Sequence, residues 1–302
     1  MDGRWELVAG ALSSHPARAE ASAKELGLDP KRSYQSYAEM AVQEAARADG
    51  IDAVAIVTPN HMHAGPAIAF LEAGIHVICD KPLAATSEQA QLIDAAVRAS
   101  KAHFILTHNY TGYPVIRQAR KLVENGELGE IRVIQAEYAQ DWLSEAADNK
   151  QADWRVNPEK SGAGAIGDIG THALNLASFV SGLQPQALCA DLHSFVDGRR
   201  VDDNAHIMLR FEKGAKGMLW ASQVAVGCEN TLTIRIYGEK AGLEWQQENP
   251  NQLSFTRFGQ AKQLLTRGGA GFGETAGDWT RIPPGPPEGY LEGFATLDSD
   301  AA

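Results

Sequence analysis

The chain has 302 residues, with 27 Lys and Arg against 38 Asp and Glu and a formal charge of −11, which disfavours a nucleic-acid backbone or an anionic membrane as main partner. At 44% hydrophobic and 22% charged the composition is that of a packed fold rather than a disordered chain, and the length suits one large domain or two ordinary ones. Cys79, Cys189 and Cys228 lie far apart with no CxxC spacing, so neither a disulfide framework nor a cysteine zinc site is indicated. With neither the basic start and apolar run of a signal peptide nor a long apolar stretch, a soluble cytoplasmic protein is expected.

The first third alternates short apolar runs with helical patterns. A strand is predicted over 7–12 and an Ala-rich helix over 16–26, with proline in its first turn and Gly27 at its stop. The run DAVAIVT predicts a strand over 52–58, followed by a helix over 64–73 that Gly74 ends. Strand 76–80, helix 87–100 and strand 104–107 complete the alternation. Runs apolar on both faces, separated by helices of this length, are what a doubly wound parallel sheet requires.

After a helix over 114–124 the pattern changes to strands in succession, over 131–139, 187–195, 205–211, 217–224, 232–237 and 253–258, interrupted by one helix over 169–180. Strands joined by short turns predict an α+β unit with a large open, mostly antiparallel sheet. The glycine- and proline-rich stretch 268–289 is expected to be a loop. The boundaries expected are 1–109 for the first domain and 110–302 for the second.

One formal G-x-G-x-x-G occurs, at Gly162, Gly164 and Gly167. A dinucleotide fingerprint needs a buried strand before the first glycine, and the residues here are WRVNPEKS, so a flexible approach to a helix is expected instead. More informative are the ends of the first-domain strands, because ligands of open parallel sheets bind outside the carboxyl ends of strands. Thr58, Pro59, Asn60, His61 and His63 follow one strand, Asp80, Lys81 and Pro82 the next, and His108 and Asn109 the third. Later, GDIGTHALN places Asp168 and His172 four residues apart at a helix start, a spacing that puts carboxylate and imidazole on one face, one turn apart.

The segments TPNHMH, ICDKPLA and GDIGTHALN together resemble the Gfo/Idh/MocA oxidoreductases, with Asp80 where the family's Glu-Lys-Pro has Glu. The resemblance implies a Rossmann domain binding NAD or NADP, then an α/β domain whose open sheet covers the active site on one side and makes a homo-oligomer contact on the other. By position it implies that Lys81 lies between nicotinamide and substrate, that His172 is the acid/base, and that Asp168 assists it. Thr58, Pro59, Asn60, His63, Asp80 and Asn109 would serve the cofactor, with Pro59, Asn60 and His63 on the nicotinamide ribose side. The second strand of the fold ends in Ser13 and Ser14 rather than an acid, so NADP is admitted, with His15 and Arg18 able to assist. The substrate implied is a sugar, inositol or related polyol, with Trp142, Trp154 and Arg155 in the loop 141–160 as pocket walls.

Two alternatives come from the same residues. An NAD-dependent glycosidase or a non-catalytic dinucleotide-binding protein would share the fold. A zinc amidohydrolase would use His61-x-His63 with Lys81, Asp168 and His172, but needs eight βα units around a barrel. Matched to the family, the chain is expected to lack the first strand, phosphate turn and first helix of the Rossmann domain. It is also expected to leave its last helix for DSDAA after about two turns, and so to bind dinucleotide poorly.

Overall fold

The computed structural model describes residues 3–146, 149–273 and 278–302; residues 147–148 of the loop 141–160 and 274–277 of the loop 268–289 lie outside these. The chain divides into two compact units, Met1–Thr107 with Ala301–Ala302, and His108–Asp300.

The first unit contains α1 (Pro16–Glu25), α2 (Tyr37–Ala45), β1 (Ala53–Ile56), α3 (Ala64–Glu72), β2 (His76–Asp80), α4 (Ser87–Ala99) and β3 (Phe104–Thr107). Side-chain caps set two helix starts: Ser36 Oγ accepts from Glu39 N–H, and Thr86 Oγ1 from Gln89 N–H. The strands form a parallel sheet in the order β1-β2-β3, the Rossmann-like arrangement. Ile56, Val77 and Cys79 are buried with Ala67, Phe70 and Leu71 of α3 and Ile93 of α4. The run 52–58 is not buried on both faces, since Ala55 is exposed and Val57 is 78% exposed: β1 is an edge of this sheet.

The strand predicted over 7–12 does not form. A strand needs a neighbour's ladder, and the segment has one isolated parallel bridge, in which Gly10 N–H donates to Arg32 O and Tyr34 N–H donates to Gly10 O. Leu7 is 58% exposed, so the apolar run is not sandwiched either.

The second unit runs α5 (Pro114–Glu124), β4 (Ile131–Ala139), α6 (Lys150–Arg155), α7 (Pro158–Ser161), α8 (Thr171–Ser181), β5 (Pro185–His193), β6 (Asn204–Phe211), β7 (Lys216–Ser222), β8 (Thr231–Gly238), β9 (Ala241–Gln246), β10 (Gln252–Arg257), β11 (Gln263–Thr266) and α9 (Tyr290–Ala301). Its eight strands lie in the order β11-β10-β9-β8-β4-β7-β6-β5, antiparallel except for the β4–β7 pair. Alternation gives one buried face: in β6, Ile207, Leu209 and Phe211 are buried while His206, Met208 and Arg210 are exposed. That face packs with Val115, Ile116 and Ala119 of α5 and Leu176 and Val180 of α8.

Four expectations are corrected. Between 124 and the last helix one helix was expected, but α6 and α7 form as well, and β9 and β11 are further strands. Helix α8 begins later than 169 because a π-helical turn, Ile166–Gly170, precedes it. The chain does not leave its last helix at DSDAA. It stays helical to Ala301 because Arg281 donates to Thr296 Oγ1, Ala295 O and Ser299 Oγ, and Arg117 pairs with Asp300. The zinc amidohydrolase is excluded as a fold, since both sheets are open and the larger is mostly antiparallel. No helix among the described residues is long and apolar enough to cross a membrane.

The described parts of 268–289 are irregular yet tied. Arg267 donates to the carbonyls of Ile282, Pro283 and Pro286, and Glu288 Oε1 accepts from the amides of Arg281 and Ile282.

Candidate active site

Because β1, β2 and β3 are parallel, with Ile56 beside Cys79 and Asp80 beside Thr107, their carboxyl ends share one edge. Beyond β1 the chain passes Thr58 and Pro59, both half-buried, into a 3₁₀ turn, Asn60–Met62, whose Asn60 is buried. Beyond β2, Asp80 Oδ1 accepts from Thr107 Oγ1 at 2.9 Å and from the Lys81 amide at 3.1 Å. That pins the strand end and leaves the half-buried Lys81 on the turn that follows. The Lys81–Pro82 peptide is cis. Burial and the neighbouring Asp80 push the Cys79 thiol up to about 12, so Cys79 is a packing residue of the strand and not a nucleophile.

His63 bridges two of these strand ends. It is fully buried, with Nδ1 2.8 Å from the Pro82 carbonyl oxygen and Nε2 2.8 Å from that of Thr58. Both ring nitrogens face backbone carbonyl oxygens, so the side chain ties the turn after β1 to the turn after β2. Ser13, Ser14 and Arg18 lie at the entry to α1. Ser13 Oγ accepts from His15 N–H, Ser14 and Arg18 are exposed, and the first turn of the helix holds no acid.

In the second unit a separate cluster surrounds His172, on the first turn of α8. The ring is 6% exposed and walled by aromatic edges, with centroids 5.0 Å to Tyr110, 5.4 Å to His108 and 6.1 Å to Tyr138. Asp168 lies in the π-helical turn before it, and its Oδ2 accepts from Arg155 Nε at 3.1 Å and Gln223 Nε2 at 2.9 Å. Arg155 in turn sits 4.3 Å over the Trp154 ring and 5.9 Å from that of Trp142. Trp154, Arg155 and Asp168 are thus one connected set. Asn109 opens a 3₁₀ turn, Asn109–Gly112, and its Nδ2 is buried with no hydrogen-bond partner among the described residues, a donor available to a ligand.

Behind this cluster runs a buried polar chain absent from the sequence-based set. The hydroxyls of Tyr110 and Tyr138 are 2.6 Å apart, Tyr138 donates to Asn230 Oδ1, and Gln140 Nε2 donates to the same oxygen. Burial pushes both phenols up from their ordinary value, so they remain protonated. Tyr110 directly follows the strand-end pair His108-Asn109, which is the signal that would have found it; Gln223 and Asn230 carry none.

Comparison with known proteins bears on both units. Residues 2–108 match the family described as "Oxidoreductase family, NAD-binding Rossmann fold", and residues 116–244 match "GFO/IDH/MocA C-terminal domain". The chain belongs to the Gfo/Idh/MocA oxidoreductase family. An uncharacterised oxidoreductase of Bacillus subtilis is 36% identical over 270 residues, 87% of this chain and 69% of that protein. The crystal structure of an oxidoreductase from Sinorhizobium meliloti superposes with a TM-score of 0.92 at 55% identity, covering 100% of this chain and 82% of the other. That of an inositol dehydrogenase homologue of Azotobacter vinelandii, complexed with NADH and myo-inositol, does so with a TM-score of 0.90 at 38% identity, over 97% and 76% of the two chains.

The cofactor of this oxidoreductase is a nicotinamide dinucleotide, and the residues present fit one. The strand edge carries the polar groups of Thr58 and Asn60 and a cation at Lys81, and the exposed, acid-free start of α1 favours an anion by the helix dipole. The G-x-G-x-x-G of residues 162–167 is no part of it. Its Gly164 and Ile166 amides each donate to the Asp202 carboxylate at 2.8 Å, so the segment is held and not flexible.

Proposed function

We propose that this chain transfers hydride between NAD(P) and a hydroxyl-bearing carbon of a sugar or cyclic polyol, with His172 as acid/base and Lys81 as the cation of the same step. The observation that carries it is His172 walled by three rings, one turn after a carboxylate that Arg155 and Gln223 hold in place. When bound, the nicotinamide supplies the hydride acceptor or donor. His172 takes the proton of the substrate hydroxyl in one direction and returns it in the other. The Lys81 ammonium offsets the charge that develops on that oxygen. Asp168 assists His172 with a carboxylate that Arg155 and Gln223 hold, while Arg155 and Trp154 form the adjoining wall. Thr58, Pro59, Asn60, Asp80 and Asn109 serve the cofactor's nicotinamide end, and Ser13, Ser14 and Arg18 its adenosine ribose. The start of α1 repels no 2′-phosphate, so both cofactors are admitted. A relative bound to NADH and myo-inositol supports the polyol class.

The exposed thiol of Cys189 supports a reducing cytoplasm, and the exposed Met208 and Met218, side by side on β6 and β7, support a homo-oligomer. The test is turnover of a panel of sugars and inositols with NAD⁺ and NADP⁺, followed by the appearance of reduced cofactor. Lys81→Ala and His172→Ala should each lower turnover by about 10² or more. Unchanged turnover in both variants would overturn the assigned roles, and cofactor binding with no turnover of any alcohol would point to a purely binding protein.

A further inference from the structure

We propose that Asp202 is a positioning residue for the reaction, setting where Asp168 and His172 stand; the inference rests on the catalytic reading of those two residues. Asp202 lies in the turn before β6, far from Asp168 in sequence. Its Oδ1 accepts from the Gly164 amide and its Oδ2 from the Ile166 amide, both at 2.8 Å, while its own carbonyl accepts from the Ala165 amide at 2.9 Å. Three consecutive amides at the start of the helical stretch, groups with no partner inside the helix, therefore converge on one residue. The carboxylate also stands where the helix dipole favours an anion.

The approach is too close for any side chain at residue 164, since a Cβ on Gly164 would lie 1.7 Å from the Asp202 carbonyl oxygen. The glycine segment that looks like a phosphate cradle is thus a cradle filled by the chain's own carboxylate. Its geometry passes directly to the site: the amides of Gly167 and Asp168 donate back to Gly164 O at 3.1 and 2.9 Å, opening the turn that carries Asp168 and leads to His172.

A second tie leaves the same turn. The carbonyl of Asp203 accepts from the Gln223 amide at 2.8 Å, and the Gln223 side chain donates to Asp168 Oδ2. Asp203 is itself immobilised: its carboxylate, fully buried, accepts from the amides of Phe195 and Val196 and from Arg199. Asp168 is therefore located twice from residues 202–203, once through the helix backbone and once through its own carboxylate. The Asp202 carboxylate carries the first of these ties, through the helix backbone, and so controls the geometry of attack, where a displacement of about 1 Å costs about 10² in rate.

The experiment compares Asp202→Ala and Asp202→Asn with Glu159→Gln, which removes an exposed ion pair with Arg200. Hydrogen exchange of the 162–172 peptide should be at least about tenfold faster in Asp202→Ala, and kcat should fall by about 10- to 100-fold. NADH affinity and the melting temperature should stay near wild type. Asn keeps one acceptor and should recover part of the rate, and formate should restore part of the activity of the Ala variant. Unchanged exchange with unchanged kcat in Asp202→Ala would overturn the proposal. So would a loss of melting temperature and NADH affinity in step with kcat that neither Asn nor formate restores. Full turnover in His172→Ala would instead overturn the catalytic reading, whatever Asp202 does.

Discussion

The buried charges of the first unit work as a closed set. Glu44 is 1% exposed, accepts from Arg32 through both oxygens, from the Tyr34 hydroxyl at 2.6 Å and from the Ile51 amide at 3.2 Å, and so links the segment after α1 to the chain entering β1. Burial alone would push the Glu44 carboxyl up, but the hydrogen bonds from Arg32 and Tyr34 outweigh it and hold the carboxyl below the ordinary range. Burial and the Glu44 contact push the Tyr34 phenol up to about 12. A depressed carboxyl contributes stability that is present above its unfolded pKa and lost as pH falls through the folded value. Wild-type stability should therefore decline as the pH drops below about 4.3. Glu44→Gln, which leaves the Arg32 cation buried without its counter-charge, should cost about 3 kcal/mol at neutral pH. Melting curves from pH 3 to 8 check both points, and the variant's curve should lose part of the acid slope.

Among the elements, the 3₁₀ turn Asn109–Gly112 is held by its closeness to α9. A Cβ on Gly112 would lie 2.0 Å from the Gly293 carbonyl oxygen, and one on Gly293 would lie 2.8 Å from the Asn109 carbonyl oxygen. Backbone meets backbone there, and no rotamer relieves a clash of that kind. Gly112→Ala should cost about 2–3 kcal/mol. Gly126, by contrast, has φ +74° with nothing within 4 Å of its added Cβ, so Gly126→Ala should cost about 1 kcal/mol, the left-handed backbone alone. Urea unfolding of the two variants separates close approach from backbone strain, and a Gly126→Ala cost equal to that of Gly112→Ala would contradict the assignment. Because Tyr110 lies in this turn and His108 adjoins it, Gly112→Ala should also disturb the wall of His172.

For the whole molecule, the face of the eight-stranded sheet away from α5 and α8 divides in two. On one half Cys189, Met208 and Met218 lie side by side across β5, β6 and β7, with Met208 64% and Met218 55% exposed. On the other, Arg235 pairs with Glu137 and Glu244. The alternate residues of β7 are not uniform: Trp220 is half-buried and Ser222 fully buried, so that of β7 only Met218 joins Cys189 and Met208 in the apolar area. An apolar stretch of this kind on a monomer's surface signals a partner, and a second copy meeting the same patch gives a closed pair. For the proposed homo-oligomer, Met208→Glu with Met218→Glu should lower the mass read by light scattering to that of a monomer without changing the fold. A wild-type monomer would refute the interface.

What the sequence determined by itself is what local patterns carry. The ends of β2, β3, α5 and β4 fall where periodicity, Pro114 and the glycines put them, and Thr58, Asp80, Lys81, Asp168 and His172 stand at strand ends or a helix start because spacing alone dictates that. Only the tertiary structure decided the rest. Whether 7–12 becomes a strand depends on a hydrogen-bonding neighbour, which apolarity cannot supply. The role of His63 depends on two carbonyls, one nineteen residues away. The glycine segment of 162–167 shows its purpose only when Asp202, thirty-six residues from Ile166, folds back onto its amides. Contacts of that sequence separation leave no periodic trace, since nothing in a local window encodes which distant carboxylate will satisfy a given amide.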